Sequence, residues 1–167
     1  MNRLNRKGFL LFELLAVIAA YIVFCYLCIH SFAWVDSLFV RLQLEQFCST
    51  CYLQQQRAYT YRKERTILCD PIDNTFVLEN ETVQLPKQVR FGVFPHTKGP
   101  PAHPTKTISH PISFKNNTIT CYANGGISSG TLYITDARAQ RMYAMSNAVA
   151  SHPFLRLYQY TTQWKQL

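Results

Sequence analysis

Four groups of residues in this chain have types and spacings that could do chemistry. The first is Glu13, the only formal charge in the run from Phe9 to Val35. A carboxylate in hydrocarbon costs about 3 kcal/mol on insertion scales, so it calls for a cationic partner, protonation, or a position shallow enough to reach the headgroups. The second is Gly126-Ile127-Ser128-Ser129-Gly130, which satisfies the G-x-S-x-G expression of a nucleophilic serine. That expression needs a strand before it and a helix after it, whereas here a Gly-rich turn precedes and a strand-like segment follows. No Asp/His pair has a triad role, so no enzyme is expected. The third is His96, His103 and His110, spread through PHTKGPPAHPTKTISHP at residues 95–111. No Cys or carboxylate lies among them and Pro-rich backbone does not preorganise ligands, so no metal and no other cofactor is predicted. The fourth is the set of six cysteines: Cys25 and Cys28 in the apolar run, the C-x-x-C pair Cys48 and Cys51, and the isolated Cys69 and Cys121.

The elements that position these groups begin with MNRLNRKG, a leader carrying Arg3, Arg6 and Lys7. The apolar run behind it exceeds the roughly 20 residues that cross a bilayer. Basic residues precede the run and none closely follow, which places the N-terminus in the cytoplasm and the body outside. A removable secretory signal would have an apolar core of about 7–15 residues and a small-residue cleavage site. This run is longer and ends Cys25-Tyr26-Leu27-Cys28-Ile29-His30-Ser31-Phe32, without such a site.

Basic leader, Gly8, Phe9 and Glu13 at this spacing resemble the class III signal of type IV pilins and pseudopilins. The resemblance implies cleavage by prepilin peptidase between Gly8 and Phe9, N-methylation of Phe9, and an assembly role for Glu13, the fifth residue of the mature chain. The physics is consistent with this. Cleavage creates a cationic amine at Phe9, and the Glu13 of a neighbouring subunit can neutralise it where a low dielectric strengthens the attraction.

The chain has 167 residues and a net charge of +8, falling to +5 without the three leader cations. Such a balance permits an acidic partner and does not demand one. Beyond the span, Val40, Leu44, Phe47, Cys48 and Cys51 recur at helical spacing with Arg41, Glu45, Gln54 and Arg57 on other faces. The helix is therefore expected to continue to residues 62–64 with one side covered. Strand-like segments follow at 66–69, 75–78, 82–85, 89–94, 112–114, 118–122, 131–135, 141–145 and 155–160, separated by turn residues. Asn124-Gly125 marks a hairpin. The loop at 95–111 is expected to be solvated and variable.

A second resemblance runs from Lys115 through Asn124-Gly125-Gly126-Ile127-Ser128-Ser129-Gly130-Thr131-Leu132-Tyr133-Ile134-Thr135-Asp136. This segment is similar to the C-terminal half of the GspH/FimT group of minor pilins and pseudopilins. DNA-uptake members of that group carry a Gly-Arg-x-Arg element near the C-terminus, which is absent here. Arg138, Arg141, Arg156, Trp164 and Lys165 are instead the residues that could form a basic and aromatic patch for single strands or phosphates. The competing reading takes the aromatics as core or edge residues and the charges as a solvated face.

In an exported domain Cys69 and Cys121, both on predicted strands, are the candidate disulfide, although sequence alone does not fix the pairing. Cys48 and Cys51 fall mid-helix, away from the helix N-terminus that activates redox thiols, and are expected to pack against the sheet.

The expected fold is α+β and pilin-like, a long N-terminal transmembrane and amphipathic helix packed on a small antiparallel β-sheet domain. Its parts are a cleaved leader at 1–8, a transmembrane assembly helix at 9–35, its amphipathic continuation at 36–64 and a periplasmic β-rich domain at 65–167. The expected function is that of a minor pseudopilin or minor pilin in type II secretion or a type IV pilus, at or near the filament tip. Implied partners are prepilin peptidase, other pilins or pseudopilins and an inner-membrane assembly platform. The alternatives are a DNA-uptake or adhesive tip protein and a membrane-anchored binding domain that never polymerises.

Overall fold

The computed structural model describes residues 4–79, 81–99, 105–148 and 154–167, with α1 side chains at 11–28 and 38–61. His103 of the proposed histidine set lies outside the described residues. Among the described residues the chain is α+β: one α-helix, α1 (Leu4–Tyr61), is followed by nine strands in two antiparallel sheets, with a single 3-10 turn at Lys115–Asn117 between the fourth and fifth strands. Two compact units result, Met1–Asp36 and Ser37–Leu167, and α1 contributes to both.

In the first unit, the segment Leu11–Cys28 is long and apolar enough to cross a membrane. Its large side chains, from Leu11 and Phe12 through Phe24 to Leu27, are exposed on every side of the helix. Such a surface suits lipid better than water.

In the second unit, α1 buries Val40, Leu44, Phe47, Cys48, Cys51, Gln54 and Ala58, spaced three or four apart along one face with one adjacent pair. Beside that face the exposed Arg41 pairs with Glu45 at 2.8 Å, one turn on. The helix ends when Arg62 enters the left-handed region at φ 52. The Lys63 N–H then closes back on the Ala58 carbonyl at 3.2 Å, satisfying one of the orphaned terminal acceptors.

The strands are β1 (Arg65–Asp70), β2 (Thr75–Leu78), β3 (Glu81–Gln84), β4 (Val89–Phe91), β5 (Thr118–Cys121), β6 (Gly130–Asp136), β7 (Met142–Asn147), β8 (Leu155–Tyr160) and β9 (Trp164–Gln166). The order is β3-β2-β1-β5 in one sheet and β4-β6-β7-β8-β9 in the other. The expected single sheet is thus two. Asn74 joins them: its side-chain amide donates to the Val89 carbonyl at 2.7 Å and accepts the Phe91 N–H at 2.9 Å, connecting the β1–β2 turn to β4.

Asn124-Gly125 does form a tight turn, with Gly125 at φ 86 and Cys121 bridged to Ile127. The chain beyond it leaves β5 and enters the other sheet as β6. Residues 112–114 make only an isolated bridge, Ile112 to Leu132, because Phe114 turns inward against Gly130. A Cβ at Gly130 would lie 2.5 Å from the Phe114 ring. Strand β9 was not anticipated.

One apolar core unites both sheets with the second half of α1: Ile67, Cys69 and Ile119 from the first sheet, Leu132, Ile134, Tyr143 and Met145 from the second, and Leu44, Phe47 and Cys51 from the helix. A smaller cluster, Tyr133, Ala144 and Tyr158, lies on the other face of the second sheet, where Val93, Ile108 and Trp164 pack on it.

Candidate functional site

Gly8, Phe9 and Glu13 all fall within α1. Glu13 is exposed, as are Phe12, Leu14 and Leu15 around it. The carboxylate is therefore presented outward in an apolar surface, where a cation supplied by another chain could meet it.

The five residues proposed for a basic and aromatic patch do not converge. Strand register aligns Met142 with Tyr160 and Tyr160 with Trp164, so Trp164 stands at the end of the second sheet nearer Arg138 and Arg141. Arg156 aligns with Ser146, four residues away along β8, or about 13 Å. Alternation along β9 sends Lys165 to the opposite face from Trp164. Arg138 belongs to the β6–β7 turn, which Asp136 organises by accepting the Gln140 and Arg141 N–H groups at 2.7 and 2.8 Å.

The aromatics near the C-terminus instead gather on the outer face of the second sheet, and what sequence reasoning missed is that Phe94 and Tyr133 join them there. Trp164 lies 5.1 Å from Tyr160 and 5.8 Å from Tyr133 between ring centroids, and Phe94 meets Tyr160 edge-on at 6.2 Å. The Trp164 indole N–H donates to the Lys98 carbonyl at 2.9 Å, fastening the long loop to β9. Beside this contact is an open hollow of about 560 Å³ lined by His96, Lys98, Tyr160 and Trp164. His110 lines a separate hollow with Lys106 and Tyr133. The period-two placement of Tyr158, Tyr160 and Trp164 was visible in the sequence, but the loop that meets them was not. Burial raises the Tyr133 hydroxyl to about 12, against a lowering hydrogen bond with Thr131, so it stays protonated.

Ser128 of the G-x-S-x-G segment is occupied structurally. Its hydroxyl oxygen accepts the Thr120 N–H at 2.9 Å, and its segment leads into β6 rather than a helix. Among the described residues no three His, Cys, Asp or Glu side chains are gathered to hold a metal ion.

The thiols require a correction. Strands β1 and β5 are neighbours, but their antiparallel register sets Cys121 opposite Arg65 and leaves Cys69 four residues away along β1. An offset of about 13 Å exceeds the 7 Å limit between Cα atoms that a disulfide can bridge. Cys69 and Cys121 are both free thiols, and Cys69 pairs across to Phe76 instead. Desolvation pushes Cys48 and Cys121 up to about 11, Cys69 to about 12, and Cys51 well above its ordinary value. At neutral pH these folded thiols are protonated and poor nucleophiles.

Compared with protein-family models, characterised proteins and solved structures, the chain matches none of them.

Proposed function

We propose that the chain is a minor pilin or pseudopilin, anchored by residues 9–35 in the bacterial inner membrane with its β-rich unit in the periplasm. The observation that carries this reading is the coincidence of Arg3, Arg6, Lys7, Gly8, Phe9 and Glu13 at the head of a membrane-length helix. Removing residues 1–8 leaves a cationic Phe9 amine four residues before Glu13. Within one helix these two groups are close in sequence. Between two chains staggered along their helices they neutralise each other, which relieves the cost of both charges in lipid and fixes the stagger.

Support also comes from the same helix being lipid-compatible at 11–28 and amphipathic from Val40 onward. A subunit that moves from membrane to filament needs both surfaces on one helix. Function then consists of assembly in a type II secretion pseudopilus or a type IV pilus, with prepilin peptidase and other pilins as partners.

The test is N-terminal sequencing with intact mass, on protein expressed with and without a prepilin peptidase. A chain beginning at methylated Phe9 only when the peptidase is present is the expected result. An intact leader in both samples would overturn the reading.

A further inference from the structure

Four cysteines lie outside the membrane-length segment, and all four are buried in the second unit. Cys51 on α1 and Cys121 on β5 are each fully inaccessible, and the Cys121 sulfur sits 3.9 Å from the carbonyl oxygen of Cys51, across a separation of 70 residues. Among the neighbouring thiols Cys121 acts most strongly on Cys51, ahead of Cys69 and Cys48. Register removes Cys69 as a partner for Cys121. We propose that Cys51 and Cys121 form a disulfide that ties the amphipathic half of α1 to β5. The inference rests on the reading above in one respect, that this unit resides in an oxidising compartment.

The chemistry is thiol–disulfide exchange with an external disulfide as oxidant. One cysteine, as thiolate, attacks a sulfur of the oxidant R–S–S–R and expels R–S⁻, which takes up a proton. The second cysteine then attacks the mixed disulfide, forming the Cys51–Cys121 bond and releasing the second R–SH. Two thiols are oxidised and the external disulfide is reduced to two thiols. Because burial suppresses the thiolate in the folded unit, exchange belongs to the period before α1 closes over β5, when both sulfurs are open to solvent. The bond then closes a long loop, the case in which the unfolded chain loses most freedom.

The experiment uses the full chain in detergent micelles, carrying Cys48→Ala. That substitution is needed because trypsin, cutting at Arg41 and Arg57, leaves Cys48 and Cys51 on one peptide. The reduced, denatured protein is refolded in oxidised glutathione, alkylated and mapped by mass spectrometry. Two fewer alkylatable thiols than in the reduced chain are expected, with a cross-linked pair of peptides containing Cys51 and Cys121. Cys69→Ala should leave that pair intact and Cys121→Ala should abolish it. A full complement of alkylatable thiols after refolding, or a cross-link that enlists Cys69 in place of either partner, overturns the proposal. The mapping on the chain with both cysteines present carries the result even where Cys121→Ala fails to fold. Pairing is read on purified protein and leader removal in cells, so either inference can fail while the other stands.

Discussion

The two halves of α1 are made of similar residues and solve different problems. At 11–28 nearly every position is apolar and every large side chain is exposed. From Val40 to Ala58 the buried residues, apolar except Gln54, occupy one face that two sheets cover, while Leu42 and Leu53 stay exposed off it. The difference teaches that hydrophobic content alone does not locate a core. In the first half there is no polar face, so only a uniformly apolar surrounding satisfies the helix. In the second half the buried stripe is narrow and polar residues such as Arg41, Gln43 and Gln55 flank it, so it specifies one packing side.

The largest way to break this contrast is alkaline pH. In the reduced protein the folded thiols of Cys48 and Cys69 lie at about 11 and about 12, against an ordinary value of 9.0. Below about pH 9 both folded and unfolded states keep these protons, and stability is unaffected. Above it the unfolded chain loses them first, so each buried thiol subtracts about 1.4 kcal/mol per pH unit until its folded value is passed. Denaturant titrations from pH 7 to 11 should show a flat region followed by a steep fall. A profile flat throughout would mean that these sulfurs are not buried as thiols.

Next in size is Leu44→Ala, which empties a fully buried site on the covered face and should cost about 3 kcal/mol. Chemical unfolding followed by near-ultraviolet circular dichroism measures it. Asn74→Ala should cost about 2 kcal/mol, because the Val89 carbonyl and Phe91 N–H lose their bridge and the backbone at φ 57 loses a residue suited to it. If it costs nothing, the two sheets are not one support for the helix. Gly125→Ala, at φ 86 with a Tyr59 ring atom 3.4 Å from the new methyl, should cost about 1 kcal/mol in the same measurement. The smallest effect is expected from Leu14→Ala, below about 0.5 kcal/mol for unfolding of the β-rich unit, since Leu14 is 61% exposed and belongs to the other unit.

The helix was readable because its two patterns extend over many turns, and Val40, Leu44, Phe47, Cys48 and Cys51 all proved buried as their spacing indicated. Strands 75–78 and 155–160 were readable in full, each being bounded by turn residues and rich in apolar or aromatic side chains. Division into two sheets was not, because β5 and β6 both alternate acceptably and nothing local says that the chain changes sheet between them. Residues 112–114 misled for a related reason: Phe114 has a strand-former's side chain but spends it filling the space above Gly130. The thiol pairing failed because residue type places Cys69 and Cys121 on strands while register, a non-local quantity, decides whether they meet. The aromatic face was half legible, since alternation marks its members and only the tertiary structure supplies the loop beside them.

The indole bond from Trp164 to the Lys98 carbonyl joins residues 66 apart in sequence. During synthesis the loop at 95–111 therefore emerges well before the strand that fastens it, by roughly 3–13 s at ordinary elongation rates. Throughout that interval the outer face of the second sheet has neither its closing aromatic ring nor its edge strand. The order of the genetic message itself leaves the Lys98 carbonyl without its indole donor until β9 arrives.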